Sequence, residues 1–435
     1  MNDIRATFRD HAGFDLHEEQ VLLVGSNPLP VAVAALALRP AMGVHLVHTP
    51  DVARRTERIA ALLITKGITV KSQPLLNDPH SAPLIQQALD AADFGHIDWT
   101  RVGLHYTGGT KPMVTQVHAH WSAKRGCPAQ ASYLGADATL RFENRGSPAQ
   151  VSLRDTPVLS LAELTQLHTG LTPELGDEHR HESSLAVAGK IHAFVQKPAG
   201  FDAYRKLLPP IYGENQDIFL QKDRQSLRRA KSFDLAHDRN FGDEAFGGWP
   251  CQPLCEAIGI SGATLDDVGD SLHEGSRPSK KKDMQERRLG DAQWLWGKWL
   301  EVWLADVLES ARDDDNGPLF HEVHQNVELK RDRQSFFETD VVAIRGHRAF
   351  LFSCTVDKKN RLVKSKLFEA GQRTVQLGGD HARFAVVSFH GNPDSVVREL
   401  EEDGWEGYDT ARSFGQADLA SADVLLAKIR PWVLR

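Results

Sequence analysis

The sequence is poor in cysteine, with four in 435 residues. That excludes the disulfide framework of a small secreted domain. Cys251 and Cys255 stand three residues apart with no second ligand pair nearby, so they read as loop or core thiols rather than half of a zinc site. Long apolar runs are missing too. Near the N-terminus the longest is Val31 to Leu38, far short of the ~20 residues that cross a bilayer. The opening MNDIRATFRDH has no signal-peptide apolar core. Basic charge is not in excess: the formal net charge is -7. A generally cationic surface is thereby excluded, and any nucleic-acid contact must be local. No internal repeat or low-complexity segment stands out. These absences point to a cytoplasmic globular protein with no membrane partner. Its 41% hydrophobic and 25% charged residues are ordinary for that class, and its length suits two or three domains.

Residues 20 to 160 alternate short apolar runs with helical patterns. VLLVG (21–25), VHLVH (44–48) and RVGLHYTGG (101–109) read as strands, with helices over Pro30 to Leu38 and Asp51 to Leu63. Such alternation predicts a parallel sheet covered on both faces, with ligands beyond the carboxyl ends of its strands. Residues 160 to 285 are less regular, apart from a helical stretch at Ser184 to Val195. EGSRPSKKKDMQERR (274–288) reads as an exposed linker or a basic helix start, and Lys280 to Lys282 as a solvated charge run. Beyond Leu289 come a largely apolar helix (293–310), a hairpin, a helix over 364–379 and a strand over 382–391.

Two loops follow apolar strands in the first part, VGSNPLP (24–30) and YTGGTKPM (106–113). Gly108 and Gly109 let the backbone approach a ligand, and free N–H groups there suit phosphate oxygens. Thr107, Thr110 and Lys111 add hydroxyls and a cation. Neither a dinucleotide fingerprint nor a Walker A loop is present, and a tight turn before a helix is the plainer alternative. VGSNP, TGGTK and LAELTQLHTG (161–170) together resemble the CRISPR-associated Rossmann-fold (CARF) domain, over roughly residues 1 to 170. The resemblance implies a Rossmann-like domain that binds a cyclic oligoadenylate, with cyclic tetra-adenylate as first choice, across the two-fold axis of a homodimer. By that match Gly25, Ser26, Asn27, Thr107, Gly108, Gly109, Thr110 and Lys111 line the site.

The hairpin FETDVVAIRGHRAFLFSCT (337–355) raises the second question. With Gly346 and His347 as turn residues, Ile344 faces Ala349, Asp340 faces Ser353 and Glu338 faces Thr355. Two acids and two hydroxyls then share a face; a merely solvated face is the alternative. Glu301 interrupts the apolar helix, with Gly297 one turn before it. A carboxylate placed there is costly unless paired or bound to a metal, and a helix–helix salt bridge is the bland reading.

Segment 290 to 390 resembles the PD-(D/E)xK nuclease core found behind CARF domains in CRISPR ancillary nucleases. That implies an α/β restriction-endonuclease-like fold, Mg²⁺ or Mn²⁺, and hydrolysis of DNA, RNA or both. The roles carry over to Glu301 and Asp340. The acid-x-lysine position instead reads Ser353-Cys354-Thr355. Glu338 is the expected replacement carboxylate and Lys366 the migrated lysine, with Lys358 as runner-up. Lys366 and Glu369 also read as a plain surface ion pair. The expected division is 1–165 CARF, 166–285 linker or insert, and 286–435 nuclease-like. The expected function is a ligand-activated nuclease of type III CRISPR defence; the alternative is a ligand sensor with an inactive nuclease-like domain.

Overall fold

A computed structural model describes residues 18–92, 94, 98–125, 131–143, 150–176, 182–208, 248, 250–273, 278, 281–331, 334–405 and 408–435. MNDIRATFRDH, Lys280 and most of KLLPPIYGEN (206–215) lie outside the described residues.

The N-terminal sheet has the order β3-β2-β1-β4-β5-β6-β7. Strands β1 (Glu19–Leu23), β2 (Gly43–Val47), β3 (Val70–Ser72), β4 (Val102–His105) and β5 (Ala131–Leu134) run parallel. Strands β6 (Thr139–Phe142) and β7 (Gln150–Ser152) add an antiparallel edge. EQVLL and GVHLV are buried at every position, as strands covered on both faces must be. One face carries α1 (Leu29–Leu38), α2 (Ala53–Thr65) and α5 (Leu161–Thr169); the other carries α3 (Ala82–Ala91) and α4 (Lys111–Arg125). Strand order reverses at β1, which pairs with both β2 and β4. The loops after β1 and β4 therefore meet at a switch point, where open α/β sheets bind ligands.

The C-terminal sheet has the order β12-β11-β10-β9-β8. Strands β8 (Glu322–Arg331), β9 (Gln334–Arg345) and β10 (Arg348–Thr355) are antiparallel; β11 (Arg383–Ser388) and β12 (Ala411–Phe414) continue parallel to β10. Ahead of this sheet come α6 (Glu182–Val195), α7 (Gly200–Leu207), α8 (Gln252–Ile258), α9 (Leu265–Leu272), α10 (Lys281–Gln293) and α11 (Trp299–Ser310). Within and after it come α12 (Asn360–Gly378), α13 (Pro393–Glu402) and α14 (Ala422–Leu434). No helix among the described residues is long and apolar enough to cross a membrane.

Alternation along β9 and β10 divides two cores. Val341, Ala343, Phe350 and Phe352 pack with α11, α6, α7, α8 and α9. Val342, Ile344, Ala349 and Leu351 pack with α12, in a core that runs on to α1, α2 and α5 beneath the N-terminal sheet. The described parts of 166–285, irregular by sequence, thus supply helices to the core around α11.

Between α10 and α11 the chain makes a π-helical turn, Trp294–Lys298. Tyr204 is fully buried beneath it; its hydroxyl donates to the Leu295 carbonyl and accepts from Trp299 Nε1 at 2.8 Å. Tyr204→Phe removes both hydrogen bonds and should destabilise the protein by about 1–3 kcal/mol. An unchanged urea midpoint would show that the hydroxyl does not hold the turn.

Candidate functional site

The two N-terminal loops interlock through glycine. A Cβ on Gly108 would stand 2.1 Å from the Leu23 carbonyl and 2.6 Å from Gly25 N; one on Gly25 would stand 2.9 Å from Gly109 N. Only bare backbone fits, so VGSN and TGGTK form one surface. Two of the predicted ligand hydroxyls hold that surface in shape. Thr107 Oγ1 accepts from Leu134 N at 2.7 Å. Thr110 Oγ1 donates to the Pro79 carbonyl at 2.8 Å and accepts from Met113 N at 3.4 Å. Asn27 Oδ1 accepts from Leu29 N at 3.1 Å, and its Nδ2 donates to Asp380 Oδ2 at 3.4 Å. Ser26, Gly109 and Lys111 are exposed. Lys111 is the first residue of α4, so its ammonium adds to the positive end of a helix, an arrangement suited to an anion.

The C-terminal site is a fork in the sheet. The β9–β10 register follows the sequence reading from Arg345–Arg348 to Val341–Phe352. Beyond it β10 stays paired with β11, through Ser353–Val386 to Thr355–Ser388, and β9 stays paired with β8. The strands part at Asp340, and its carboxylate fills the gap. Asp340 Oδ2 accepts from Cys354 N at 2.6 Å and from Ser353 Oγ at 3.1 Å. A side chain thus satisfies a backbone donor of the ladder.

Lys366 Nζ comes within 3.7 Å of the same oxygen. It projects from α12 on one face of the sheet; Glu301 comes from α11 on the other. Burial and the nearby Asp340 carboxylate push the Glu301 carboxyl up to about 8, against the opposing pull of Lys298 and Lys366. Asp340 in turn raises the Lys366 ammonium. Two carboxylates and a lysine therefore sense one another across a split sheet.

The other expected residues fall differently. Glu338 pairs with Glu328 on β8, not with Thr355, because β9 has already left β10. Its charge adds a smaller upward push on Glu301. Among the described residues no three His, Cys, Asp or Glu side chains are gathered into a metal-holding group. Glu369 pairs with Arg373, so Lys366 and Glu369 are not partners. Lys358 pairs with Asp202 at 2.8 Å and lies over Phe201. Open space remains beside Gly297, as the sequence suggests. Sequence reasoning missed a cleft of about 560 Å³ that Glu301 shares with Lys298, Arg287, Asp291, Trp294 and Gln325. Its walls come from α6, α9, α10, α11 and β8, which only the folded chain brings together. It also missed Asp380, although the glycine pair before it marks a turn.

Glu301 has a pH signature. Its ordinary value is 4.5 and its folded value about 8, so the folded protein holds the proton more tightly. This contribution to stability is complete below the ordinary carboxylate range and is lost as pH rises through about 8. In metal-free protein Glu301→Gln should remove that loss, raising stability on the alkaline side by on the order of 1–3 kcal/mol. Denaturant midpoints should then diverge as pH rises above the ordinary carboxylate range and stay apart beyond about 8; parallel profiles would refute the raised carboxyl.

No family model matches the chain, and no curated protein matches it. Solved structures share its fold, two of which cover nearly the whole chain. Protein VC1899 from Vibrio cholerae aligns with a TM-score of 0.60 at 11% identity, over 95% of this chain and 98% of that one. Can2 from Sulfobacillus thermosulfidooxidans, solved in complex with cyclic tetra-adenylate, aligns with a TM-score of 0.59 at 14% identity, over 96% and 97%. At such identity the likeness is one of fold, and it extends over nearly the whole of each chain.

Proposed function

We propose that the chain is a cyclic-oligoadenylate sensor coupled to a metal-dependent nuclease, acting in the cytoplasm in type III CRISPR defence. The observation that carries the reading is the convergence of Glu301, Asp340 and Lys366 on the fork between β9 and β10. Supporting it is the shared fold with Can2, whose bound ligand is cyclic tetra-adenylate. The N-terminal loops offer what such a ligand needs: close backbone and Lys111 for phosphates. A ring with two-fold symmetry implies a homodimer.

A divalent metal suits the donors. A carboxyl whose proton affinity is raised by burial and by a neighbouring carboxylate invites a cation, and oxygen ligands suit Mg²⁺ or Mn²⁺. Glu301 and Asp340 would hold it, with Glu338 nearest in support. The metal would activate water and neutralise phosphoryl charge. Glu301 would lose its proton on binding. Lys366 would stabilise charge at the phosphate from the opposite face. Ser353 and the Cys354 N–H would keep Asp340 oriented. DNA or RNA would be the substrate.

A second reading has one observation in its favour. Ser353 and Thr355 stand where the related nucleases keep an acid and a lysine, so the fork would be a relic and the protein a sensor only.

The two readings separate by experiment. Calorimetry should detect tight binding of cyclic tetra-adenylate, one ring per two chains, weakened by Lys111→Ala and by salt. With ligand and Mn²⁺, labelled DNA or RNA should be cut. Asp340→Ala should abolish cutting, Ser353→Ala should keep most of it, and Lys366→Ala should slow it about 10²–10³-fold. Binding without any cutting by wild type would favour the sensor; a monomer in light scattering, with and without ligand, would remove the two-fold site.

A further inference from the structure

The ligand loops meet the other half of the molecule at a built contact. Asn27 lies against the turn that ends α12, Gly378-Gly379-Asp380-His381. A Cβ on Gly379 would come within 2.5 Å of Asn27 Nδ2. Gly379 has φ 57° and ψ −144°, a conformation open almost only to glycine. The turn is shaped to admit the amide. Beyond it, Asn27 Nδ2 donates to Asp380 Oδ2.

Two lines run from this contact to the fork. One is α12 itself: 19 residues long, it is a rod of about 28 Å with Lys366 in its first half. The other is the β9–β10 hairpin. His381 in the turn lies 5.5 Å, ring to ring, from His347 in the hairpin turn. Both halves of the fork therefore end beside the turn that holds Asn27. Upstream, Gly25 and Gly108 join Asn27's loop to TGGTK by backbone contact.

Charge supplies the direction. Asp380 is exposed, and its carboxylate stands beside loops whose free groups suit a polyanion. A phosphodiester ring seated there meets like charge at Asp380 and competes for the Asn27 amide. It binds the form with Asp380 displaced better than the form with Asp380 in place. A ligand shifts an equilibrium only by such a difference in affinity.

Resting on the reading of the N-terminal loops as a cyclic-oligoadenylate site, we infer that Asp380, from the C-terminal half, is a positioning residue of that site. It holds Asn27 in the ligand-free state, and its displacement by the ligand's phosphates moves the end of α12 and with it Lys366. By reciprocity, whatever Asp380 does against the ligand it does equally against the active fork.

Asp380→Asn keeps the shape and removes the charge. In the full chain it should bind cyclic tetra-adenylate about five- to tenfold more tightly than wild type. Ligand-free cleavage should rise, and the stimulation by ligand should shrink. Hydrogen exchange gives a readout independent of cleavage. Amides of the 377–382 turn should exchange faster in wild type when ligand is added, and already faster in Asp380→Asn without it. Wild type that takes up no ligand would overturn the reading of the loops, and this inference with it. Wild type that binds, beside an Asp380→Asn variant with unchanged affinity or unchanged exchange at the turn, would overturn the inference alone. Tighter binding without faster exchange would reduce Asp380 to a local charge and likewise reject the coupling.

Discussion

The structure depends on one shared apolar layer. Leu36, Leu63 and Leu164 from α1, α2 and α5 are buried in the same core as Leu367 and Leu377 of α12 and as Val342 and Leu351 of the C-terminal sheet. Two sheets are thus packed on one helical layer. Separating them would expose apolar surface at a cost of roughly 25 cal/mol per Å². Interfaces between independent domains are usually more polar than this, and relative motion is then expected. Here the two halves pack as one body through that layer, so any signal between them must pass by small shifts of packed elements. The glycine contacts around Asn27 lie at its margin.

Polar groups at the fork follow from the same economy of space. β9 lies between β8 and β10 and pairs with both from Ile344 to Val341, but its ladder to β10 stops there while its ladder to β8 runs on. The end of that ladder leaves a backbone donor on β10 that a carboxylate completes. Charges then collect at the defect: Asp340 because it fills the gap, Lys366 because it answers Asp340, Glu301 because the opening reaches α11. None of the three would be stable in the unbroken middle of the sheet, where an uncompensated charge is expensive.

Much of this was legible from residue order. The hairpin register came from the turn pair Gly346-His347 and a two-residue period, and it held as far as Phe352. It failed at Glu338 because periodicity carries no notice of where a ladder ends: β9 and β10 part after Val341–Phe352. Lys366 was identified from its place on a helix and does reach Asp340. Its supposed partner Glu369 turned to Arg373, a choice set by rotamers. Thr107 and Thr110 belong to the right loop, yet their hydroxyls point to Leu134 and Pro79, which only tertiary structure brings near. The contact between Asn27 and Asp380 joins residues 353 positions apart, beyond any local pattern. Helices α8 and α9 went unread because they are only 7 and 8 residues long, too short for a helical period to register.

Asp340 is held chiefly by a main-chain amide, that of Cys354. Every residue but proline supplies that amide, whatever its side chain. Drift along β10 can therefore exchange an acid for serine, or a lysine for threonine, and leave the architecture of the fork standing. The geometry of the site is thus more durable than its chemistry. A lineage could pass through variants poor in function and regain it from another element, as a lysine on α12 would do, without refolding anything on the way.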